Sequence, residues 1–378
     1  VEIQDSKTHA AREPVATLDS MAAMTSPALP AVPAAAAPLP KVLLHDHLDG
    51  GLRVGTLLAL LRARGLSAPA ADEAGLAAWF DANAHAGSLE KYLEGFALTV
   101  AAMATPEAMR RVAFEAAEDA RAGGALLAEF RIAPLLFEPH GVGGDDSVEA
   151  LLAGLAQSPL PSGLIVCAMR HESPERTLRA AELALRWQGR GVVGFDLAGA
   201  ERGHPPGDHA AALARVREAG LPITLHAGEA DEAERVLEAG RLGARRIGHG
   251  VRLVDALTSS DPARRALVDE AKALGLHLEV CPTSNVHTGA APSIAGHPIT
   301  ALWRAGVSLS YHTDNTLMSR ITLQGEADAL LRETPLMRLD LLRMARAAAE
   351  ASFLPEAPRR AAMAAIDAEI GAANGHKV

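Results

Sequence analysis

Aromatic residues are scarce in this chain of 378 residues, at 3%, although 49% of it is hydrophobic and 22% charged. Much of the apolar content is alanine, so a packed interior has to come from Leu, Val, Ile and close helix contacts. Cysteine is nearly absent. Cys167 and Cys281 each sit in an apolar, strand-like run, which suggests buried thiols in a reducing, cytoplasmic compartment. A disulfide between the two is the less favoured alternative. Positive charge is in deficit, with 36 Lys and Arg against 46 Asp and Glu and a formal net charge of -10. That balance argues against nonspecific attraction to nucleic acid or an anionic membrane and leaves a small neutral substrate unopposed. Long hydrophobic runs are missing as well. No stretch reads as a transmembrane helix, and the first residues lack the basic start and Leu-rich core of an export signal. Oligomeric state is not readable from these features.

Residues 1–39 read as a mobile Pro/Ala-rich extension. Proline removes donors and alanine buries little area to offset the entropy of ordering. A single domain is expected over 40–370, and the stretch 371–378 is expected to fray. The domain begins with the apolar run KVLLHDH, a strand at roughly 42–48. A helical pattern follows in LRVGTLLALLRARG, with Gly65 as its stop. The less regular stretch from Ala71 to Ala104 has the size and place of a lid, and His85 within it reads as a surface residue. From Pro106 onward apolar runs alternate with helical patterns. The runs are LLAEFRIAP, LIVCAM (164–169), VVGFDLAG (192–199), PITLHAGE (222–229), RIGHG (246–250), LHLEVCP (277–282) and VSLSYHTD (307–314). With the first run they make eight strands, each followed by a helix. This predicts an α/β fold, a parallel (β/α)8 TIM barrel with a helical insertion after the first strand and further helices beyond Thr316. An open dinucleotide-binding sheet is disfavoured, because HDHLDGG stands where its Gly-rich phosphate turn belongs.

His45 and His47 are two positions apart, so in a strand both imidazoles reach the same side. His226 ends the fifth run and Asp314 the eighth, while Asp196, Glu229 and His249 also fall at or near strand C-termini, where a barrel assembles its site. Three imidazoles and a carboxylate suit a borderline-soft divalent ion and leave a position for water; zinc leads, and iron and manganese stay open. Alone, Asp314 reads as a strand-end cap. Beside three strand-end histidines it reads as a ligand. Such an ion lowers the pKa of bound water from about 16 towards about 7. Glu229 can protonate a ring nitrogen next to the carbon under attack, or simply cap the helix ADEAERV. His249 can take a proton from the water or stabilise an oxyanion, or simply pack.

Six segments occur in order between Lys41 and Glu350: HDHLDG, GFDLAGAE, HAGE, RIGHG, CPTSNVHTG and SLSYHTDN. Together they resemble the adenosine deaminase family of metal-dependent hydrolases. The resemblance implies one Zn2+ per chain held by His45, His47, His226 and Asp314, with Glu229 protonating purine N1 and His249 orienting and deprotonating the water. It also implies that Gly199 presents its backbone N–H to N3 and that Asp49 accepts from the ribose 5′-hydroxyl. The implied activity is hydrolysis of adenosine and 2′-deoxyadenosine to inosine and 2′-deoxyinosine with release of ammonia. Asp49 would repel a 5′-phosphate, which favours a purine nucleoside over a nucleotide. Relatives acting on free adenine usually carry Glu there. One departure is visible. Asn315-Thr316 stand where many members have a second Asp followed by Pro, and the Asn315 amide can donate to N7 where a carboxylate must first be protonated. Another 6-aminopurine compound (adenine, aminodeoxyfutalosine or a modified adenosine) is the alternative substrate. A binding protein without catalysis conflicts with the presence of Glu229 and His249. Phosphoester hydrolysis would often need a second metal and a bridging group, and FDLAG offers no bridging lysine.

Overall fold

Eight short strands form the frame of the computed structural model, which describes residues 38–85 and 89–375. They are β1 (Lys41–Leu43), β2 (Ala125–Ile132), β3 (Ser162–Met169), β4 (Val192–Ala198), β5 (Thr224–Ala227), β6 (Arg246–His249), β7 (His277–Val280) and β8 (Ser308–Tyr311). All neighbours pair in parallel, in the order β1-β2-β3-β4 and β5-β6-β7-β8. Two seams close the ring. Phe195 N donates to Pro222 O at 3.0 Å between β4 and β5, and His47 N donates to Asp314 O at 2.7 Å beyond β1 and β8. The result is the expected (β/α)8 barrel.

The first strand is shorter than expected. Regular pairing stops at Leu43, and Asp46 and His47 continue only as single bridges to Asp314 and Arg131. The reason is that Leu44 N finds His312 Nδ1 rather than a ladder carbonyl, which frees the segment to turn its side chains into the barrel mouth.

Alternation along the strands separates two chemistries. Phe130, Ile132, Leu164, Val166, Phe195, Ile247, Leu278 and Leu309 are all buried in the hydrophobic core; each contributes about 1.5–3 kcal/mol. Except on β3, where Ile165 and Cys167 take the alternate places, polar residues alternate with them: Glu129 and Arg131, Asp196, Thr224 and His226, Arg246, His277 and Glu279, and Ser310, all buried. The register puts Thr224, Arg246, His277 and Ser308 in one layer and His226, Gly248, Glu279 and Ser310 in the next. Burying so many polar groups is tolerable only because they satisfy one another.

Among the described residues, four α-helices lie between β1 and β2, from Val54–Ala63 to Pro106–Ala122. One of them, Leu89–Met103, packs against the turn Leu48–Gly50 at the C-terminal end of β1, which places the insertion at the barrel mouth. At the other end, Ser352 Oγ and Phe353 N donate to Glu129 Oε1 at 2.5 and 2.6 Å, and the Phe353 ring lies 3.7 Å from the Arg246 guanidinium, closing the barrel floor. The last helix, Glu356–Gly375, runs into the stretch expected to fray, since Ile366 and the neighbouring Ala362 are buried against the body. The extension expected over 1–39 lies outside the described residues apart from Pro38 and Leu39, and Leu39 is buried. No helix among the described residues is long and apolar enough to cross a membrane. Cys167 and Cys281 are both free and buried.

Candidate active site

Three of the four ligands anticipated from the sequence, His45, His226 and Asp314, come together at the C-terminal end of the barrel with His249, which the sequence reading places among the acid–base groups. Ligand-capable atoms of His45, His226, His249 and Asp314 all lie within 4.8 Å of one another. His47 joins them, with Nε2 3.2 Å from His226 Nε2 and 3.5 Å from Asp314 Oδ1. His45 Nε2 is 3.2 Å from the same Oδ1 and has no hydrogen-bond partner although buried. Those separations match the edge of a tetrahedron of ligands at zinc-like bond lengths, about 3.3 Å.

Hydrogen bonds behind the ligands decide which atom faces the centre. His45 Nδ1 donates to Glu279 Oε2 at 2.9 Å, and His226 Nδ1 donates to the Asp196 carboxylate at 3.0–3.1 Å. Both rings therefore present an unprotonated Nε2 inward. Ser284 Oγ donates to Asp314 Oδ2 at 2.6 Å, leaving Oδ1 for the histidines. Arg131 ties the two supporting carboxylates together: Nη1 donates to Asp196 Oδ2 at 2.8 Å and Nη2 to Glu279 Oε2 at 2.6 Å. Burial alone would raise both acids. Ion pairing with His226 and Arg131 holds Asp196, and pairing with Arg131 and Arg246 holds Glu279, well below the usual carboxylate range.

Local backbone geometry serves the same end. His249 and Asp314 adopt φ of 65° and 60°, a left-handed conformation that costs a non-glycine residue about 1–3 kcal/mol. It turns both side chains over the strand ends into the mouth. Gly248 explains the glycine inside RIGHG: a Cβ there would stand 2.9 Å from His45 Cε1 and 3.2 Å from His226 Cγ. Any larger residue would push into the ligand rings.

Glu229 does not cap the following helix; Glu232 occupies the N-cap position. Its carboxylate Oε1 accepts from Asn285 Nδ2 at 2.9 Å and Thr288 Oγ1 at 2.7 Å, and Oε2 lies 3.5 Å from His249 Nε2. The Glu229 backbone is held as well, since Glu201 accepts from the N–H groups of Glu229, Ala230 and Asp231 at 2.9–3.2 Å. Asp49 follows the ligand pair in the turn Leu48–Gly50, buried, with Oδ1 unpartnered and its pKa pushed up to about 7 by burial. The Asn315 carboxamide packs on Gly50 in that same turn. Gly199 directly follows β4 at φ 94°, where a Cβ would press on His171 and Met169. His85 is exposed and its ring meets His287 rather than the ligand cluster.

The supporting residues Arg131, Glu201, Glu279, Asn285 and Thr288 escaped the sequence reading. A signal existed for two of them. Arg131 and Glu279 are charges inside the apolar runs LLAEFRIAP and LHLEVCP, at positions a strand buries.

A parallel barrel whose strand ends converge histidines and a carboxylate, with His45, His226 and Asp314 each backed by an acid or hydroxyl, defines a metal-dependent hydrolase of the amidohydrolase type. The chain belongs to the adenosine deaminase family, whose sequence profile matches residues 40–369. An adenosine deaminase of Mycobacterium avium is 43% identical over 334 residues, covering 84% of this chain and 91% of that protein. Among solved structures, the adenine deaminase of Arthrobacter aurescens shares the fold with a TM-score of 0.79 at 24% identity, covering 88% of this chain and 99% of the other. An amidohydrolase of Burkholderia ambifaria solved with bound Zn has a TM-score of 0.76 at 24% identity, covering 88% and 91%.

Proposed function

We propose that this chain hydrolyses the 6-amino group of adenosine and 2′-deoxyadenosine, releasing ammonia and leaving the 6-oxopurine nucleoside, with one zinc ion held by His45, His47, His226 and Asp314. The observation that carries the reading is the meeting of His45, His226 and Asp314, with His47 Nε2 3.2 Å from His226 Nε2, beside Glu229, whose Oε2 is the oxygen left open by Asn285 and Thr288. The donor chemistry fits zinc: three imidazole nitrogens and one carboxylate oxygen at tetrahedral-edge spacing, with an unpartnered buried Nε2 on His45. When bound, the ion supplies a water-derived nucleophile near neutral pH.

The residues of the chain supply the rest. An aromatic amine resists displacement because addition at C6 interrupts the ring, so a proton delivered to N1 at the same time lowers the barrier. Glu229 is placed to hold that proton at Oε2, and donors at Oε1 keep the carboxyl from rotating away. His249, whose Nε2 is 3.5 Å from Glu229 Oε2, is the residue assigned to the oxygen that joins C6. Water adds across C6 and N1, the exocyclic nitrogen leaves as ammonia, and the ring recovers its conjugation.

Asp49 supports a nucleoside substrate. A buried acceptor with one unpartnered oxygen suits a sugar hydroxyl and would oppose a 5′-phosphate. Asn315, on Gly50 beside Asp49, is the residue assigned to the N7 edge, and the Gly199 backbone N–H is assigned to N3. The net charge of -10 is compatible with this small neutral ligand, and the two free buried thiols support a reducing compartment such as the cytoplasm.

The test is a panel of adenosine, 2′-deoxyadenosine, adenine, aminodeoxyfutalosine and an N6-modified adenosine, followed by ultraviolet absorbance with metal content measured on the same sample. Preference for the two plain nucleosides is expected. Preference for adenine or for a modified compound would transfer the assignment to it, and no ammonia from any of them would end the deaminase reading.

A further inference from the structure

The direction of the hydrogen bonds at Glu229 and His249 can be traced to one backbone amide away from the substrate position. Ile299 N donates to His297 Nδ1 at 3.0 Å. A peptide N–H can only donate, so His297 Nδ1 carries no proton and the ring proton lies on Nε2. That Nε2 is 3.3 Å from Asn285 Oδ1, which must be the acceptor. The orientation of the Asn285 amide is thereby settled by its partners, and its NH2 group faces the other way. One hydrogen goes to Glu229 Oε1 at 2.9 Å and the other to His249 Nδ1 at 3.0 Å. Asn285 is fully buried and His297 nearly so, which leaves no solvent to scramble the chain. Burial pushes the His297 pKa down to about 3, in keeping with a ring that stays neutral.

We propose that Asn285, oriented by His297, is a positioning residue that sets where the protons sit on the two acid–base groups: Oε2 of Glu229 and Nε2 of His249. Both follow from donor counting. With the Asn285 amide and the Thr288 hydroxyl directed at Oε1, the carboxyl proton belongs on Oε2. With the Asn285 amide directed at Nδ1, that nitrogen of His249 is an acceptor and the ring proton lies on Nε2, the nitrogen nearer Glu229. His249 then enters the reaction as a hydrogen-bond donor to the oxygen joining C6. This is the opposite direction to the proton abstraction that the family resemblance implies for it. The catalytic consequence rests on the deaminase reading, whereas the placement of the protons does not.

The test uses the zinc-loaded full chain with 15N-labelled histidine, and His249 assigned by comparison with His249→Gln. Protonated and unprotonated ring nitrogens resonate far apart, so the spectrum reads the tautomer without any assay of activity. Expected is a protonated Nε2 and an unprotonated Nδ1 on His249 near neutral pH. Asn285→Asp keeps the shape and replaces two donors by acceptors. It should move the His249 proton onto Nδ1 and lower kcat at least about 100-fold with little change in KM and equal metal content. His297→Leu removes the group that orients the amide and should lower kcat about tenfold, whereas His297→Gln, which restores an N–H, should recover most of it. A protonated Nδ1 in the unsubstituted enzyme overturns the proposal, as does an unchanged tautomer or an unchanged kcat in Asn285→Asp. The spectrum of the unsubstituted chain remains decisive where a variant fails to fold. A chain that releases no ammonia from any 6-aminopurine refutes the function proposed above, while the tautomer still judges this inference.

Discussion

Glu279→Gln is the substitution on which the architecture of the site bears most directly. The side chain keeps its shape and loses one charge. Only donors and cations surround the carboxylate: His45 Nδ1 at 2.9 Å and Arg131 Nη2 at 2.6 Å donate to Oε2, Thr224 Oγ1 at 3.0 Å donates to Oε1, and the Arg246 guanidinium is ion-paired with Oε1, its Nε 2.6 Å away. An amide can satisfy one of these pairs through its oxygen. Its NH2 group must then face the other pair, donor against donor, with no water at a fully buried position. Two consequences follow. Arg131 and Arg246 lose a shared counter-ion between them, and breaking a buried ion pair from one side costs about 3–5 kcal/mol. His45 loses the partner that orients Nε2 inward, and losing such a support typically lowers metal affinity about 10–100-fold. The assay is zinc competition against a chelator of known affinity, with thermal melting of the zinc-loaded and zinc-stripped protein. The reasoning predicts weaker zinc binding together with a lower melting temperature in both states. Unchanged zinc affinity would refute the claim that Glu279 aims His45. Unchanged melting of the stripped protein would refute the claim that it holds the two arginines.

Other outcomes follow from the same geometry. Glu229→Gln should retain zinc yet lose at least about a hundredfold in turnover, and full activity in the zinc-loaded variant would remove Glu229 from the acid role. Asp49→Ala should cost more with adenosine than with free adenine, and equal losses on both would remove the sugar contact from the assignment. Glu326 is buried with Oε2 unpartnered and Thr283 N donating to Oε1 at 3.1 Å, and burial outweighs the hydrogen bonding from Thr283 and pushes its pKa from 4.5 up to about 8. The folded state then holds a proton that the unfolded state releases between about pH 4.5 and 8. Stability from this group is complete below that window and falls by up to about 1.4 kcal/mol per pH unit within it. Glu326→Gln should abolish that slope, so its melting advantage should grow from pH 5 to pH 8. A constant difference across the range would contradict the buried-acid account.

The part of this protein written in local order was legible from the chain alone. Eight apolar runs, each followed by a helical pattern, are enough to demand parallel strands and crossovers, and the histidines and Asp314 stand at run ends where a barrel gathers its chemistry. Strand β1 was overextended in that reading, because a period-two pattern continues through His45 and His47 although the ladder has already stopped at Leu43. What the alternation could not disclose is who partners whom. Arg131, Asp196, Glu279 and Arg246 come from β2, β4, β7 and β6, and only closure of the ring brings them within 2.6–2.8 Å where they are linked. Asn285 likewise reads as one polar residue among several in CPTSNVHTG until the fold sets it between Glu229 and His249. Local sequence determines periodicity and therefore which side chains point inward. Hydrogen-bond direction and buried charge balance are properties of groups far apart in the chain, so tertiary structure alone decided them.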